Sequence, residues 1–212
     1  MNETATLAQG AAPATLAGPP PELLPFPDRG PRRPELDAPL SQFMIEEAAA
    51  LDEGRYQDWL GCLAEEFIYQ VPVPLLREDP ALARHSDNAV LFEATKKVLE
   101  LKLGRVGLRH AWSDRPGGVM RHFISGTRVF GLSEPGSLRV DSNVLATFNR
   151  GREETALATA ARCDIVRPDN ARPGIARPGI ARPDGPAGYR LVRRRVLLDI
   201  EVATHAQLSI IF

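Results

Sequence analysis

Apolar residues recur at helical spacing through Met44, Ile45, Ala48 and Leu51, with Ser41 placed to cap the run and Gly54 to stop it, which predicts a helix. A shorter helix follows, with Trp59, Leu60 and Leu63 on one side. It leads into "FIYQVPVP", Phe67 to Pro74, whose β-favouring residues predict a strand cut off by Pro72 and Pro74. Beyond a loop, Leu91, Ala94, Val98 and Leu101 return to helical spacing while Glu93, Lys96, Lys97 and Glu100 point elsewhere. This predicts a third amphipathic helix, capped by Ser86 or Asp87 and ending near Gly104.

From there the period becomes two. "RHFISGTRVF", "LRVDSNVLATFNR", "EETALATAARCDIVR" and "YRLVRRRVLLDI" each alternate, separated by "SEPGS", "NRGRE" and a long Pro/Gly segment. Helices first and strands afterwards predict an α+β fold, with the N-terminal helices packed on a curved, mixed, mostly antiparallel sheet that can enclose a cone-like space.

Composition adds two irregular segments. Of the 19 prolines, Pro13, Pro19, Pro20, Pro21, Pro25, Pro27, Pro31, Pro34 and Pro39 crowd the beginning, so residues 1–39 read as a disordered or extended Pro-rich arm. Residues 40–212 then form a single domain. It carries a Pro/Gly/Arg-rich loop insertion at about 167–188, where the pentad ARPGI occurs twice and ARPDG follows as a degenerate copy. Proline at every fifth position there blocks both helix and ladder.

Charge narrows the partners. The 26 Lys and Arg nearly balance the 27 Asp and Glu, so no whole-chain field draws this protein to nucleic acid or to an anionic membrane. The Arg-rich stretch from Arg162 to Arg195 has only Tyr189 nearby as a stacking platform, which argues against nucleic-acid binding. No run of about 18 apolar residues and no basic-then-apolar leader is found, so the expected location is the cytoplasm, with Cys62 and Cys163 as reduced thiols.

Three stretches carry a resemblance to a known family. "EEAAALDEGRYQDWLGCLAEEFIYQVPVP", "HAWSDRPGGVMRHFISGTRV" and "YRLVRRRVLLD" followed by "QLSIIF" resemble, in order, parts of the small (β) subunit of aromatic-ring-hydroxylating dioxygenases. The resemblance covers roughly Ser41 to Phe212. It implies a cone-shaped fold of the SnoaL-like or nuclear-transport-factor-like kind, assembled as three small subunits with three large (α) ones. It also implies that a Rieske iron-sulfur cluster and a mononuclear iron reside in the large subunit and that no cofactor resides in this chain. The function implied is scaffolding of an iron-bearing partner that dihydroxylates an aromatic substrate. The chain departs from that pattern in its Pro-rich arm, its ARPGI loop, Pro74 and Gly126.

The residue chemistry agrees with an accessory role. A Rieske site needs paired Cys and His, and neither Cys62 nor Cys163 has a suitable neighbour. The nearest approach to an iron triad is His85 and Asp87 with a distant His122 or His205, a weak spacing signal. No phosphate loop or nucleophile elbow occurs. The alternative reading is a stand-alone SnoaL-like isomerase or dehydratase, with Tyr69, Asp52, His122 and Asp141 as candidates for an acid/base pocket inside the cone.

The three arginines of "YRLVRRRVLLDI" divide by face. In an unbroken strand Arg194 shares a side with Val192, Val196 and Leu198, so its guanidinium needs a carboxylate such as Asp164 or Asp141. Arg193 and Arg195 share the other side with Leu191, Leu197 and Asp199, a mixed Leu/Arg face suited to protein contact. The candidate subunit interface is therefore Trp112, Arg121, Arg193, Arg195, Asp199 and Phe212.

Overall fold

A computed structural model describes residues 23–75, 77–79, 81–106, 119–149, 155–169, 188–199 and 211–212. Its helices are α1 (Asp37–Asp52), α2 (Tyr56–Gly61) and α3 (Lys96–Val106), with one short 3-10 turn at Pro34–Leu36. Its strands are β1 (Leu63–Pro74), β2 (His85–Thr95), β3 (Val119–Gly131), β4 (Leu138–Asn149), β5 (Ala156–Pro168) and β6 (Tyr189–Leu198). The strands form one sheet in the order β2-β1-β6-β5-β4-β3. The β1–β6 pair is parallel and every other pair antiparallel, so the α+β expectation of a mixed, mostly antiparallel sheet holds.

Helix α1 starts five residues earlier than a cap at Ser41 would place it. Pro39 lies in its first turn, where a missing N–H costs nothing, and Ser41 is inside the helix rather than at its cap. The buried stripe is Leu40, Phe43, Met44, Glu47, Ala48 and Leu51, while Ile45 is 46% exposed. The two ends of α1 are tied to the outermost strand: Asp37 Oδ1 accepts the Val129 N–H at 3.0 Å, and Asp52 Oδ2 accepts the His122 N–H at 2.9 Å. Carboxylates thereby satisfy part of the β3 edge, which would otherwise invite another strand.

The predicted third helix is a strand for its first half. Residues 85–95 pair with β1 from Ile68↔Thr95 to Pro74↔His85, and only Lys96–Val106 is helical. The helix therefore buries Leu99 and Leu103, whereas Val98 and Leu101 are exposed and Leu91 belongs to β2. The apolar positions of "HSDNAVLFEAT" alternate at Val90, Phe92 and Ala94, and the tertiary pairing overrides the helical spacing. Ser86 caps no helix; its Oγ accepts the Asn88 and Ala89 N–H groups in a local turn. Pro72 and Pro74 are accommodated because β1 pairs with β6 only as far as Gln70, and register shifts against β2 fall at the prolines.

The part of the arm from Leu23 onward is extended chain tied to the sheet. Residues 23–33 lie as a strap along the sheet and the end of β3. Gly131 N–H donates to Pro31 O at 2.8 Å and Arg33 N–H to Val129 O at 2.9 Å. Gly30 allows this approach: a Cβ there would stand 2.2 Å from the Gly131 carbonyl oxygen. Gly126, at φ +63°, occupies a bulge between Ser125 and Arg128 in β3, a left-handed backbone position that glycine adopts without steric cost.

Candidate functional site

The interior between α1 and the sheet holds four charged side chains, all 0–1% exposed: Glu47, Arg162, Asp164 and Arg194. Arg194 Nε donates to Asp164 Oδ1 at 2.7 Å and its Nη2 to Glu47 Oε1 at 2.6 Å. Arg162 Nη1 stands 3.0 Å from Glu47 Oε1, and Trp59 Nε1 donates to Glu47 Oε2 at 2.7 Å. The register explains the grouping, since Asp164 lies opposite Arg194 on β5 and β6, and Arg162 shares the inward face of β5 with Asp164. The expected pairing of Arg194 with Asp164 is present; the other candidate, Asp141, is elsewhere. Burial alone would raise the Glu47 carboxyl, but Arg194 and Arg162 outweigh it and hold its pKa down to about 2. For Arg194 burial opposes the charge, and Asp164 and Glu47 overcome it, so it stays a cation.

Three of the four proposed pocket residues converge in this interior, around Ile211 and Phe212. His122 Nδ1 is 2.7 Å from Asp52 Oδ1, and its Nε2 is 2.9 Å from the Ile211 carbonyl oxygen. The Phe212 N–H donates to Tyr69 Oη at 3.1 Å, and Arg194 Nη1 donates to Phe212 O at 2.9 Å. Tyr69 is fully buried, and that burial pushes its hydroxyl up to about 12. Asp141 does not join them: it is clamped by Arg29 Nε at 2.6 Å and Arg139 Nε at 2.8 Å. Phe212, expected at a subunit interface, is 3% exposed and packs in this chain's own core.

Arg193 and Arg195 are also engaged within the chain. Both terminal nitrogens of Arg193 donate to Pro25 O at 2.8 Å, Arg195 Nη2 donates to Leu24 O, and Arg139 Nη1 donates to Pro27 O at 2.6 Å. The three guanidinium groups surround the Phe26 ring, 4.9–5.4 Å from its centroid. These arginines clamp the strap within the chain. The strict alternation also fails at Val192: Ile165 pairs with Arg193 and Val166 with Leu191, so the bulged Val192 lets Leu191 join Arg194 on the buried side.

Of the remaining interface candidates, Arg121 and Asp199 are exposed, and Trp112 lies outside the described residues. Arg121 belongs to an apolar face. Along β3, Val119, Arg121 and Phe123 point outward while Met120, His122 and Ile124 pack inward, and Val119 and Phe123 are 65% and 53% exposed. The same face continues through Leu145 and Thr147 of β4 to Leu157 of β5, itself 52% exposed. The candidate metal residues do not assemble: His85 Nε2 contacts Leu198 O, and His205 lies outside the described residues. Among the described residues no three His, Cys, Asp or Glu side chains form a group suited to a metal ion.

Sequence reasoning missed Glu47 and Arg162. Glu47 interrupts the apolar stripe of α1 at a core position, and Arg162 interrupts the inward row Ala158, Ala160, Val166. Each is a charged residue in phase with buried neighbours, the same signal that singled out Arg194.

Comparison with known proteins matches residues 46–181 to the ring-hydroxylating β subunit family. A chain of naphthalene 1,2-dioxygenase, solved with indole in the active site, superposes with a TM-score of 0.66 at 20% identity over 83% of this chain and 85% of that one. The β subunit of benzoate 1,2-dioxygenase from Burkholderia mallei superposes with a TM-score of 0.55 at 14% identity, covering 80% and 95%. The helices-on-sheet architecture is thus shared with these proteins. The chain belongs to the ring-hydroxylating β subunit family.

Proposed function

We propose that this chain is the non-catalytic small (β) subunit of a multicomponent aromatic-ring-hydroxylating dioxygenase, holding an iron-bearing large (α) subunit in a cytoplasmic complex of three large and three small chains. The observation that carries this reading is the family match over residues 46–181. The Rieske cluster and mononuclear iron belong, in this proposal, to the large subunit. The outward face of β3, β4 and β5 suits assembly, since it joins Val119, Phe123 and Leu145 with Arg121, an apolar patch with a cationic edge. Trp112 and Asp199 are proposed as further contacts.

The acid/base alternative has less support, because the polar groups it needs already hydrogen-bond Ile211 and Phe212. The test is Phe123→Asp co-expressed with a large subunit. Loss of co-purification with an unchanged circular dichroism spectrum supports the assignment of this face. Undiminished co-purification sinks that assignment.

A further inference from the structure

Ile211 and Phe212 occupy a place with more polar complementarity than a hydrophobic plug needs. Three strands each deliver one buried side chain to their main chain: Tyr69 of β1 accepts the Phe212 N–H, His122 of β3 meets the Ile211 carbonyl, and Arg194 of β6 donates to the Phe212 oxygen. Each of the last two side chains is oriented by a carboxylate of its own, Asp52 for His122 and Asp164 with Glu47 for Arg194. Side chains fixed in this way lose little freedom on meeting a ligand. Arg162, in the same charged interior, is 1% exposed, yet among the described residues its Nη2 has no hydrogen-bond partner, and its Nε faces Asp164 at 3.0 Å without hydrogen-bond geometry. The interior thus retains an unsatisfied donor, which a buried site leaves open at a cost unless a polar group answers it.

We propose that the interior of the cone is a recognition site for an aromatic residue read through its main chain, an N–H between two main-chain oxygens with the ring carried on the side chain, and that Ile211–Phe212 is its occupant in this chain. The site reads the main chain through Tyr69, His122 and Arg194 and takes the ring into the apolar core. Any small molecule or peptide with that chemistry competes for the same place. The proposal is independent of subunit assembly and is tested on this chain alone.

The test uses the chain lacking Ile211 and Phe212, with N-acetyl-Ile-Phe-amide and toluene as probes in calorimetric titration and thermal unfolding. The amide should bind and raise the unfolding midpoint, and should bind at least about tenfold more tightly than toluene, which fills space without polar contacts. Tyr69→Phe in the shortened chain should weaken the amide about fivefold, the value of one neutral hydrogen bond, and leave toluene unchanged. If the shortened chain does not fold alone, refolding yield in the presence of each probe makes the same comparison. Equal effects of the two probes would mean that the interior is only a cavity and would overturn the proposal. So would a folded shortened chain that binds neither probe, or a refolding yield that neither probe improves.

Discussion

Arg194 shows how far a single residue can be read from its row. A guanidinium in phase with Val196 and Leu198 has to be paired, and Asp164 is directly across the ladder. Its second partner, Glu47, was not foreseeable from strand register, because it arrives from α1 across 147 positions of sequence. Removing one member of such a network leaves the others charged in a dry interior. Arg194→Met should therefore cost about 3–5 kcal/mol of stability in denaturant titration. Arg193→Ala, at the partly exposed strap, should shift the midpoint far less. Glu47 also sets a pH response. Its folded pKa of about 2 lies below the ordinary 4.5, so its stabilisation is complete above about pH 4.5 and is lost as pH falls toward 2. Glu47→Gln should flatten the stability profile within that acid window; an unchanged acid slope would show that other carboxylates govern it.

Among the elements, those with an uninterrupted period were the legible ones. Strands β3, β4 and β5 lie where the alternation places them, β3 with a bulge at Gly126, and α1 follows its stripe apart from an early start and the exposed Ile45. Strand β2 was hidden because Leu91, Ala94, Val98 and Leu101 lie at helical spacing across what is really a strand-to-helix junction at Thr95 and Lys96. The pairing partner that decides it, β1, is a feature of the fold and not of the local pattern. The strap was hidden for a different reason: proline-rich chain has no apolar period, and its order comes from arginines far along the sequence holding the Leu24, Pro25 and Pro27 carbonyls and the Phe26 ring. Phe26→Ala should release it. Hydrogen exchange should accelerate in residues 23–33 with little change in β4 and β5, and unaltered protection of that segment would contradict the clamp. Gly30→Ala should act similarly, because its methyl group would meet the Gly131 carbonyl.

At the scale of the whole molecule, the α+β architecture was readable from the order of periods, but the inward and outward assignments needed the structure. Arg193, Arg195 and Phe212, candidates for contact with another chain, make contacts within this one. Among the described residues, β3 presents an exposed apolar face bearing Val119, Arg121 and Phe123, the one proposed for a partner. Among the described residues no helix is long and apolar enough to cross a membrane, so that exposed apolar surface is not part of a helical span. The central claim, an accessory subunit of a ring-hydroxylating dioxygenase, is tested most directly by mass. This chain would be co-expressed with candidate large subunits, and the purified product measured by size-exclusion chromatography with light scattering and by metal analysis. The account predicts a complex with equal numbers of large and small chains, its iron retained by the large subunit after the two are separated. A lone, iron-free chain that joins none of the large subunits would contradict it.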